Sequence, residues 1–296
     1  MNVQETFDNF ILSRRLADLS DKTIYDYEQF IAPFIRFVGL ETDFSNITQQ
    51  DINKYIEALL KRPLSRSTRA TYIRHVKIYL RWCESEYGAN YSAKTIKVPK
   101  SPKREVRIYT DDEVAQLFDS ITCENEWLTI RNKCIIALMY DSGLRQSEVC
   151  SLRLSRISFT DNRFTVRGKG DKERVVPLGQ FTKVYLKTYL KLCPYKSDIV
   201  FVTRRGEPLT NNAVKLMVSK LANKLPFELS SHKLRHNFAT NYCIDQYEKN
   251  GHIDVYRLMY LMGHEDIETT QRYLHFAYEI IASRGHISHL DKIVYQ

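Results

Sequence analysis

The stretch RFTVRGKGDKERVVPLG, residues 163–179, decides the fold class of the second half of the chain. Apolar and polar residues alternate on both sides of the sequence GKGDK, a pattern typical of a β-hairpin that turns at these residues. One more short strand is predicted at DIVFVT, residues 198–203. Because the surrounding sequence has helical patterns, we predict a mainly α domain with a small antiparallel β-sheet.

The first hundred residues are predicted to be helical, since their apolar residues recur at helical spacing. Val3, Phe7 and Phe10 share one face, and Thr48 has the position of an N-cap for the helix QQDINKYIEALL. We therefore expect an all-α N-terminal domain over residues 1–96.

A strongly basic stretch lies within this domain: residues 61–81, KRPLSRSTRATYIRHVKIYLR, contain no acidic residue. On a helix that begins near Ser67, one side is apolar and the opposite side is basic. A solvated helix face is the ordinary interpretation of such a pattern. Because no acid compensates the charge, we favour a surface that faces DNA phosphates. Its candidate residues are Arg69, Arg74, Lys77 and Arg81.

Residues 97–109 are predicted to be a basic linker, because KVPKSPKREVR has two prolines, five basic residues and no apolar periodicity. Its candidate DNA contacts are Lys100, Lys103 and Arg104. The second domain, residues 110–296, opens with TDDEVAQLF, in which Thr110 and Glu113 form a capping box. A C-terminal tail is expected over about residues 279–296.

The composition favours a soluble protein with an anionic partner. The chain has 296 residues and a formal net charge of +9, which suits nucleic acid, although an ordinary basic protein would share this charge. Its six cysteines have no CxxC or metal-ligand spacing, which indicates reduced thiols. The N-terminus has no signal-peptide pattern, and the apolar run at residues 134–140 is too short to cross a bilayer. We expect a cytoplasmic protein that is not bound to a membrane.

The stretch SSHKLRHNFAT, residues 230–240, could form a metal site or a phosphate site. His232 and His236 could share a helical face as zinc ligands, but the sequence is HKLRH and not HExxH, and the cation of Arg235 between them opposes a metal. A serine cap before the first histidine instead places His232 and Arg235 at a helix N-terminus, where their donors favour an anion. We predict a phosphate site without metal and interpret His236 as structural, although an isolated pair of this kind is usually a surface salt bridge.

Three further segments carry residues of the same chemistry. Arg145 follows a glycine that ends a helix, with Glu148 one turn later; Lys169 lies between two glycines at the hairpin tip; Tyr273 follows His264 by nine residues. Each has an ordinary alternative: an i, i+3 ion pair, a solvated turn lysine and aromatic packing. No single segment therefore decides the function.

Together, GLRQSEV, GKGDKERVVPL, HKLRHNFAT and LMGHEDIETTQRYLH, in that order, resemble the signature boxes of the tyrosine recombinases. The layout is most similar to the simple Xer-type members of this phage integrase family, and the resemblance covers the whole chain. It implies that residues 1–96 are a SAM-like core-binding domain that binds DNA, followed by the linker and a catalytic domain over residues 110–296. Carried over position by position, it implies a complete active site. The implied residues are Arg145, Glu148, Lys169, His232, Arg235, His264 and Tyr273. One departure is CIDQYEKNGHIDVYRLMY, the segment before His264, which is longer than usual.

The resemblance implies a site-specific DNA recombinase that needs neither a metal nor ATP. Tyr273 would attack a phosphodiester and form a 3′-phosphotyrosyl intermediate, while the two arginines and two histidines bind the phosphate oxygens. Lys169 would protonate the departing 5′-oxygen, His232 would accept the tyrosine proton, and Glu148 would orient its neighbours.

The resemblance also implies the partners. These are double-stranded DNA with a specific core site and a homo-tetramer, or a paired second recombinase, that exchanges strands through a Holliday junction. The tail at about residues 279–296 would dock on a neighbouring protomer, although packing on its own domain fits the sequence equally well. Chromosome or transposon resolution, integration or excision, and inversion of DNA are all compatible tasks.

Three other functions fit parts of the pattern. A type IB topoisomerase uses similar residues, but the Xer-like N-terminal layout argues against it. A metal-dependent nuclease or transposase needs clustered carboxylates, and Asp111 and Asp112 are better explained as a helix start. A DNA-binding protein without catalysis is the third alternative, and the complete set of residues argues against it.

Overall fold

The computed structural model describes residues 1–100, 107–168 and 172–284. The chain divides into two compact units, Met1–Arg104 and Glu105–Gln296. Among the described residues, no helix combines the length and the apolar character needed to cross a bilayer.

Four helices build the described part of the first unit, and side-chain caps set where they begin. The helices are α1 (Val3–Leu16), α2 (Asp21–Val38), α3 (Gln49–Lys61) and α4 (Arg66–Tyr87), with short 3-10 turns at Phe44–Asn46 and Ala93–Thr95. Thr48 accepts the N–H of Asp51, whose side chain accepts the N–H of Thr48, so the predicted N-cap is confirmed. Ser65 caps α4, which therefore begins one residue before the predicted start at Ser67.

An aromatic core holds the first unit together. Tyr79 of α4 is fully buried, and its hydroxyl lies 2.6 Å from Thr6 Oγ1. The ring of Phe10 meets the Tyr79 ring edge-on at 5.5 Å. Val3, Phe7 and Phe10 are buried, which confirms the predicted apolar face of α1.

The second unit is also mainly helical and contains one small antiparallel sheet, as predicted. Its helices are α5 (Asp111–Ser120), α6 (Glu126–Asp141), α7 (Gln146–Cys150), α8 (Gln180–Leu192), α9 (Asn211–Ala222), α10 (Ser231–Asn250), α11 (Val255–Met262) and α12 (Ile267–Ser283). Its strands are β1 (Ile157–Ser158), β2 (Arg163–Arg167) and β3 (Glu173–Pro177), in the order β1-β2-β3. The predicted hairpin is confirmed, with Phe164 opposite Val176, while its tip at residues 169–171 lies outside the described residues.

The predicted strand at residues 198–203 is wrong, and β1 is the third strand instead. Val200 donates its N–H to Leu152 O at 2.9 Å, and Phe201 O accepts the N–H of Leu209 at 2.9 Å. The segment is therefore extended and buried, but its backbone bonds to two loops and not to the sheet. A short apolar run is compatible with either arrangement, which explains the error.

Two apolar clusters position the later helices of the second unit. Helix α6 passes through the main cluster, since residues 134–139 are buried on every side. A second cluster lies between α10, α11 and α12, where Cys243, Leu258 and Met262 pack with Tyr273. This cluster brings the C-terminal end of α11 close to both neighbouring helices.

Ile108 and Tyr109, which the sequence placed in the linker, pack within the second unit. Tyr109 N donates to Asn237 Oδ1 at 2.7 Å, and the Tyr109 hydroxyl donates to Glu228 O at 2.8 Å. Residues 101–106 lie outside the described residues, so the limits of the linker stay a prediction.

Candidate active site

Arg145 lies where the chain leaves α6 and enters α7. Gly143, with φ of +63°, makes the turn, and Arg145 occupies the N-cap of α7. Glu148 Oε2 accepts the Arg145 N–H at 2.7 Å, and Oε1 accepts from Arg145 Nη1 at 3.0 Å. Glu148 is only 2% exposed, so this pair has a buried carboxylate and is not an ordinary surface pair, although the Arg145 side chain is partly exposed.

Arg174 of β3 is a component of the site that the sequence analysis missed. Its guanidinium donates twice to Glu148, from Nη1 to Oε1 at 2.7 Å and from Nη2 to Oε2 at 2.8 Å. Its Nε donates to Leu261 O at 2.8 Å. The sequence did carry a signal, because Arg174 occupies the same inward-facing register of β3 as the buried Val176. A charged residue at an inward position of an alternating strand indicates a buried partner.

Arg235 projects from the first turns of α10, which Ser230 caps as the sequence predicted. Its two terminal nitrogens donate to Gly143 O and to Met262 O. Burial, and then the neighbouring Arg145, lower the pKa of Arg235 to about 9, so the guanidinium stays charged at neutral pH. Arg235 thus joins the end of α6 to the end of α11.

Three consecutive carbonyls at the end of α11, which we name the α11 turn (residues 261–263), each accept from a different arginine. Leu261 O accepts from Arg174, Met262 O from Arg235, and Gly263 O from Arg145 Nη2 at 2.6 Å. Carbonyls at a helix C-terminus lack partners within the helix and carry partial negative charge. The α11 turn therefore gathers guanidinium groups from α7, β3 and α10.

Both the backbone conformation and the packing at position 263 require glycine. Its φ of +57° is in the left-handed region, and it forms the C-terminal cap of α11. A Cβ at this position would lie 2.9 Å from Arg174 Nη1 and 3.2 Å from Arg145 Nη1. The missing side chain thus leaves room for two of the three guanidinium groups.

His264 follows the α11 turn directly. Its Nδ1 lies 2.8 Å from the hydroxyl of Thr270, which fixes that side of the ring. Burial, and then the charges of Arg235, Arg145 and Arg174, lower the pKa of His264 to about 4. At neutral pH the imidazole is uncharged.

Tyr273 lies on α12, is 5% exposed and packs between two histidines. Its ring stacks on His264 with centroids 5.9 Å apart, and the His236 ring lies 5.3 Å away. Burial raises the pKa of the Tyr273 phenol above its usual range, and the charges of Arg235, Arg272 and Arg145 oppose this effect. The side chain is therefore a neutral phenol at rest, close to the arginines of the α11 turn.

The two histidines of α10 differ in their surroundings. His232 is exposed on the first turn of the helix. His236 has a buried Nδ1 without a hydrogen-bond partner, and burial, then the charges of His232 and Arg235, lower its pKa. His236, which is predicted to be structural, lies directly beside Tyr273.

Lys169 lies outside the described residues, so its predicted role stays a prediction. The two residues that flank the hairpin tip are described, and Gly168 N donates to Lys172 O at 2.8 Å. This bond continues the pairing of β2 and β3 to the base of the tip.

The basic residues predicted to face DNA fall into two groups. Arg74, Arg81 and Lys100 are exposed, as a DNA-facing surface requires. Lys77 and Arg69 are partly buried and bond to the first unit itself: Lys77 donates to Ile96 O at 2.6 Å, and Arg69 Nη1 donates to Leu60 O at 2.7 Å. Lys103 and Arg104 lie outside the described residues.

The described part of the chain contains no group of three or more His, Cys, Asp or Glu side chains that could hold a metal ion. The pair of histidines on α10 is accordingly not part of a larger ligand set within those residues.

Known families and relatives match the chain along most of its length. The phage integrase family matches residues 107–279, and the N-terminal SAM-like domain of phage integrases matches residues 7–63. Tyrosine recombinase XerC of Oceanobacillus iheyensis is 31% identical over 260 residues, which cover 83% of this chain and 82% of that protein. Tyrosine recombinase XerC of Listeria monocytogenes serotype 4b is 27% identical over 293 residues, which cover 95% of each.

Solved structures share the fold at low sequence identity. A lambda integrase dimer bound to a COC′ core site has a TM-score of 0.75 and 18% identity, covering 97% of this chain and 99% of that chain. The XerH site-specific recombinase bound to a palindromic difH substrate has a TM-score of 0.71 and 22% identity, covering 88% and 78%.

The chain therefore belongs to the phage integrase family, and the predicted resemblance to the Xer-type tyrosine recombinases is confirmed. It is an enzyme of site-specific DNA recombination, which breaks and rejoins DNA.

Proposed function

We propose that the residues around the α11 turn form the recombination active site and that Tyr273 is its nucleophile. One observation carries this proposal: Arg145, Arg235, His264 and Tyr273 come from four separate segments and converge on a single turn. Residues that serve only local packing have no reason to collect three guanidinium groups beside a buried phenol. A phosphodiester, which is anionic and must be attacked by a hydroxyl, requires this combination.

The arginines bind the phosphate and stabilise the charge that develops during attack. A guanidinium has five N–H donors, and the bonds that Arg145 and Arg235 make within the described residues leave donors for phosphate oxygens. The Arg145 side chain is 34% exposed, so DNA can reach it. Because both guanidinium groups are fixed by backbone carbonyls, little reorganisation is needed when the phosphate enters.

His264 supplies a neutral donor to the same phosphate. Thr270 holds Nδ1, which leaves Nε2 as the ring atom that bonds a nonbridging oxygen. The arginines around the α11 turn keep the ring uncharged, since they disfavour a further positive charge.

Proton transfers complete the reaction. Tyr273 must lose its phenolic proton as it attacks phosphorus, and His232, exposed at the start of α10, is the proposed acceptor. Lys169 is the proposed donor to the departing 5′-oxygen, a role that rests on the resemblance of GKGDK to the family's hairpin sequence. The bond from Tyr273 oxygen to phosphorus forms as the bond from phosphorus to the 5′-oxygen breaks.

The product of this step is a 3′-phosphotyrosyl enzyme and a free 5′-hydroxyl. Since a phosphodiester bond is exchanged for another phosphodiester bond, the 5′-hydroxyl of a partner strand can reverse the step without ATP or a metal. Two rounds of such exchange pass through a Holliday junction. We propose that the enzyme works in the cytoplasm as a tetramer, alone or with a second recombinase, on double-stranded DNA with a specific core site.

Two parts of this assembly rest on sequence alone. Residues 279–283 of the predicted tail continue α12, where Ile280 and Ile281 pack on their own unit, and residues 285–296 lie outside the described residues. Docking of the tail on a neighbouring protomer stays a prediction. The task of the enzyme, whether resolution, integration, excision or inversion, follows from the core site once that sequence is known.

A covalent trap tests the proposed nucleophile. The protein is mixed in EDTA with nicked and sheared genomic DNA from its source, and adducts that survive SDS are isolated and sequenced. The adduct should form with the native chain and disappear in Tyr273→Phe. Tyr278→Phe is a matched control, because Tyr278 lies on the same helix and is exposed. An adduct that persists in Tyr273→Phe, or requires a divalent metal, would contradict the proposal.

A further inference from the structure

The side chain of Arg174 connects three parts of the second unit. It leaves β3, bonds both oxygens of Glu148 in the segment of Arg145, and bonds the carbonyl of Leu261 in the α11 turn. The residue is 5% exposed. Three of its donors are bonded to Glu148 and to the α11 turn, so the guanidinium acts through the groups that it touches.

We propose that Arg174 is a positioning residue of the recombination reaction, which holds Glu148 and the α11 turn so that Arg145, Arg235 and His264 meet one phosphate. This inference rests on the proposed function and concerns how the phosphate site is assembled.

The Glu148 carboxylate accepts hydrogen bonds from two arginines at once, and its bonds to Arg174 affect how it binds Arg145. Oε1 of Glu148 accepts from Nη1 of Arg145 and Nη1 of Arg174, while Oε2 accepts from the backbone N–H of Arg145 and Nη2 of Arg174. Without Arg174, the buried carboxylate would have Arg145 as its sole bonded cation among these contacts. An unbalanced buried carboxylate binds its remaining cation more closely, which withdraws Arg145 from the phosphate.

The charge on Glu148 depends on the same contact. Burial opposes ionisation of the Glu148 carboxyl, but the hydrogen bond and charge of Arg174, together with the Arg145 backbone N–H and the charge of Arg235, outweigh burial and hold the pKa below its usual range. Arg174 therefore helps to keep the Glu148 carboxylate charged, and the charged carboxylate orients Arg145.

The second contact of Arg174 fixes the α11 turn. Leu261 O is the first of the three carbonyls, and the next two bind Arg235 and Arg145. His264 follows the third. Release of the first carbonyl would loosen the positions of both phosphate-binding arginines and of the histidine, because all three depend on one short piece of backbone.

The geometry requires an arginine at this position. Three donors are used in one plane, two toward a carboxylate and one toward a carbonyl, and a lysine ammonium cannot match this fork. Gly263 also leaves room for the guanidinium, since a Cβ there would lie 2.9 Å from Arg174 Nη1.

The test compares two reactions of synthetic nicked duplexes that carry the core site recovered by the covalent trap. One duplex has the ordinary phosphodiester at the scissile position, and the other has a neutral methylphosphonate, which lacks one charged oxygen. Rates of covalent adduct formation are measured under single-turnover conditions together with the Kd for DNA. The variants are Arg174→Met and Arg174→Lys, with Arg163→Met as the control, because Arg163 lies in the same sheet and forms an exposed ion pair with Asp161.

We expect Arg174→Met to form the phosphodiester adduct roughly 100-fold more slowly, with a Kd within about threefold of the native value. Arg174→Lys should recover only part of this loss, about tenfold or less, because the charge returns without the fork. On the methylphosphonate the loss in Arg174→Met should shrink to about threefold or less, since the arginines have less charge to neutralise. A general loss of structure would slow both substrates equally, and that result would overturn the proposal.

Hydrogen exchange provides a measurement that needs no DNA reaction. We expect Arg174→Met to increase exchange of the backbone amides of residues 263–270, at the end of the α11 turn and directly after it, while amides of α6 keep their protection. Unchanged exchange at 263–270 would refute the contact even if the native chain formed no adduct. Absence of an adduct with the native chain would instead refute the proposed function, so the two failures are distinguishable.

Discussion

The rings of His264 and Tyr273 lie nearly parallel, inclined by 12° with centroids 5.9 Å apart. The stack joins the residue after the α11 turn to the proposed nucleophile on α12. His264 is in turn bonded to Thr270, in the first turns of the same helix. The position of the phenol is thus tied to the carbonyls that hold the arginines. A substitution in the α11 turn should therefore displace Tyr273, and a substitution at Tyr273 should displace the turn.

Acid should destabilise the second unit through His264. The pKa of His264 in the folded chain is about 4, below its ordinary value of 6.5, so between these values the unfolded chain binds a proton that the folded chain does not. The stabilising contribution is complete above pH 6.5 and is lost as the pH falls toward 4. We expect the melting temperature of the native chain to fall over this window, and His264→Asn to show a smaller fall. Equal pH dependence in the two proteins would contradict the assignment.

Gly263→Ala should abolish most of the DNA cleavage. The new methyl group would collide with Arg174 Nη1 and crowd Arg145 Nη1, and an alanine in the left-handed region costs about 1 kcal/mol by itself. Gly251→Ala separates these effects, because Gly251 also has a positive φ, of +73°, but open space around its Cα. The control should lose stability and keep its rate of adduct formation. Similar rates in both variants would show that the arginines tolerate the methyl group.

The exposed and the internally bonded basic residues of the first unit should respond differently to mutation. Arg81→Ala should weaken DNA binding and reduce the slope of log K against log salt by about 1, as expected for one lost phosphate contact. Lys77→Met should instead lower the free energy of unfolding in urea by about 1 kcal/mol, since it removes the bond to Ile96 O. A smaller salt slope in Lys77→Met would show that Lys77 contacts a DNA phosphate.

The two histidines of α10 can be separated by substitution with phenylalanine. His232→Phe removes the proposed proton acceptor and should slow adduct formation about 100-fold. His236→Phe keeps an aromatic ring beside Tyr273 and removes a buried nitrogen without a partner, so its rate should stay within about threefold and its melting temperature should not fall. The opposite ranking of the two rates would assign the proton transfer to His236.

Much of the fold was predictable because it depends on local patterns. The caps at Thr48 and Thr110, the hairpin and the glycine that ends α11 all follow from the chemistry of a few adjacent residues. The strand at 198–203 was not predictable, since pairing depends on what lies beside a segment and not on its own composition.

In the candidate site, too, the residues in local sequence patterns were predictable and those that depend on distant contacts were not. Arg145, Arg235, His264 and Tyr273 could be chosen by residue type and order, and the structure brings them together. Arg174 could not be recognised in this way, because its meaning comes from Glu148 and Leu261, far from it in the sequence. Lys77 shows the converse: its charge and helical face predict a DNA contact, while its bond to the carbonyl of Ile96, 19 residues away, is not visible in the sequence pattern.

The α11 turn determines which substitutions its own three positions should tolerate in evolution and in protein design. Its anchors are main-chain oxygens, which every amino acid supplies, so the arginines do not constrain the identity of Leu261 or Met262 beyond the apolar packing that buries them. Glycine at 263 is the exception, since only the absence of a side chain admits the guanidinium groups. A library that randomises 261 and 262 among apolar residues should therefore yield many active recombinases, while the same library at 263 should return glycine.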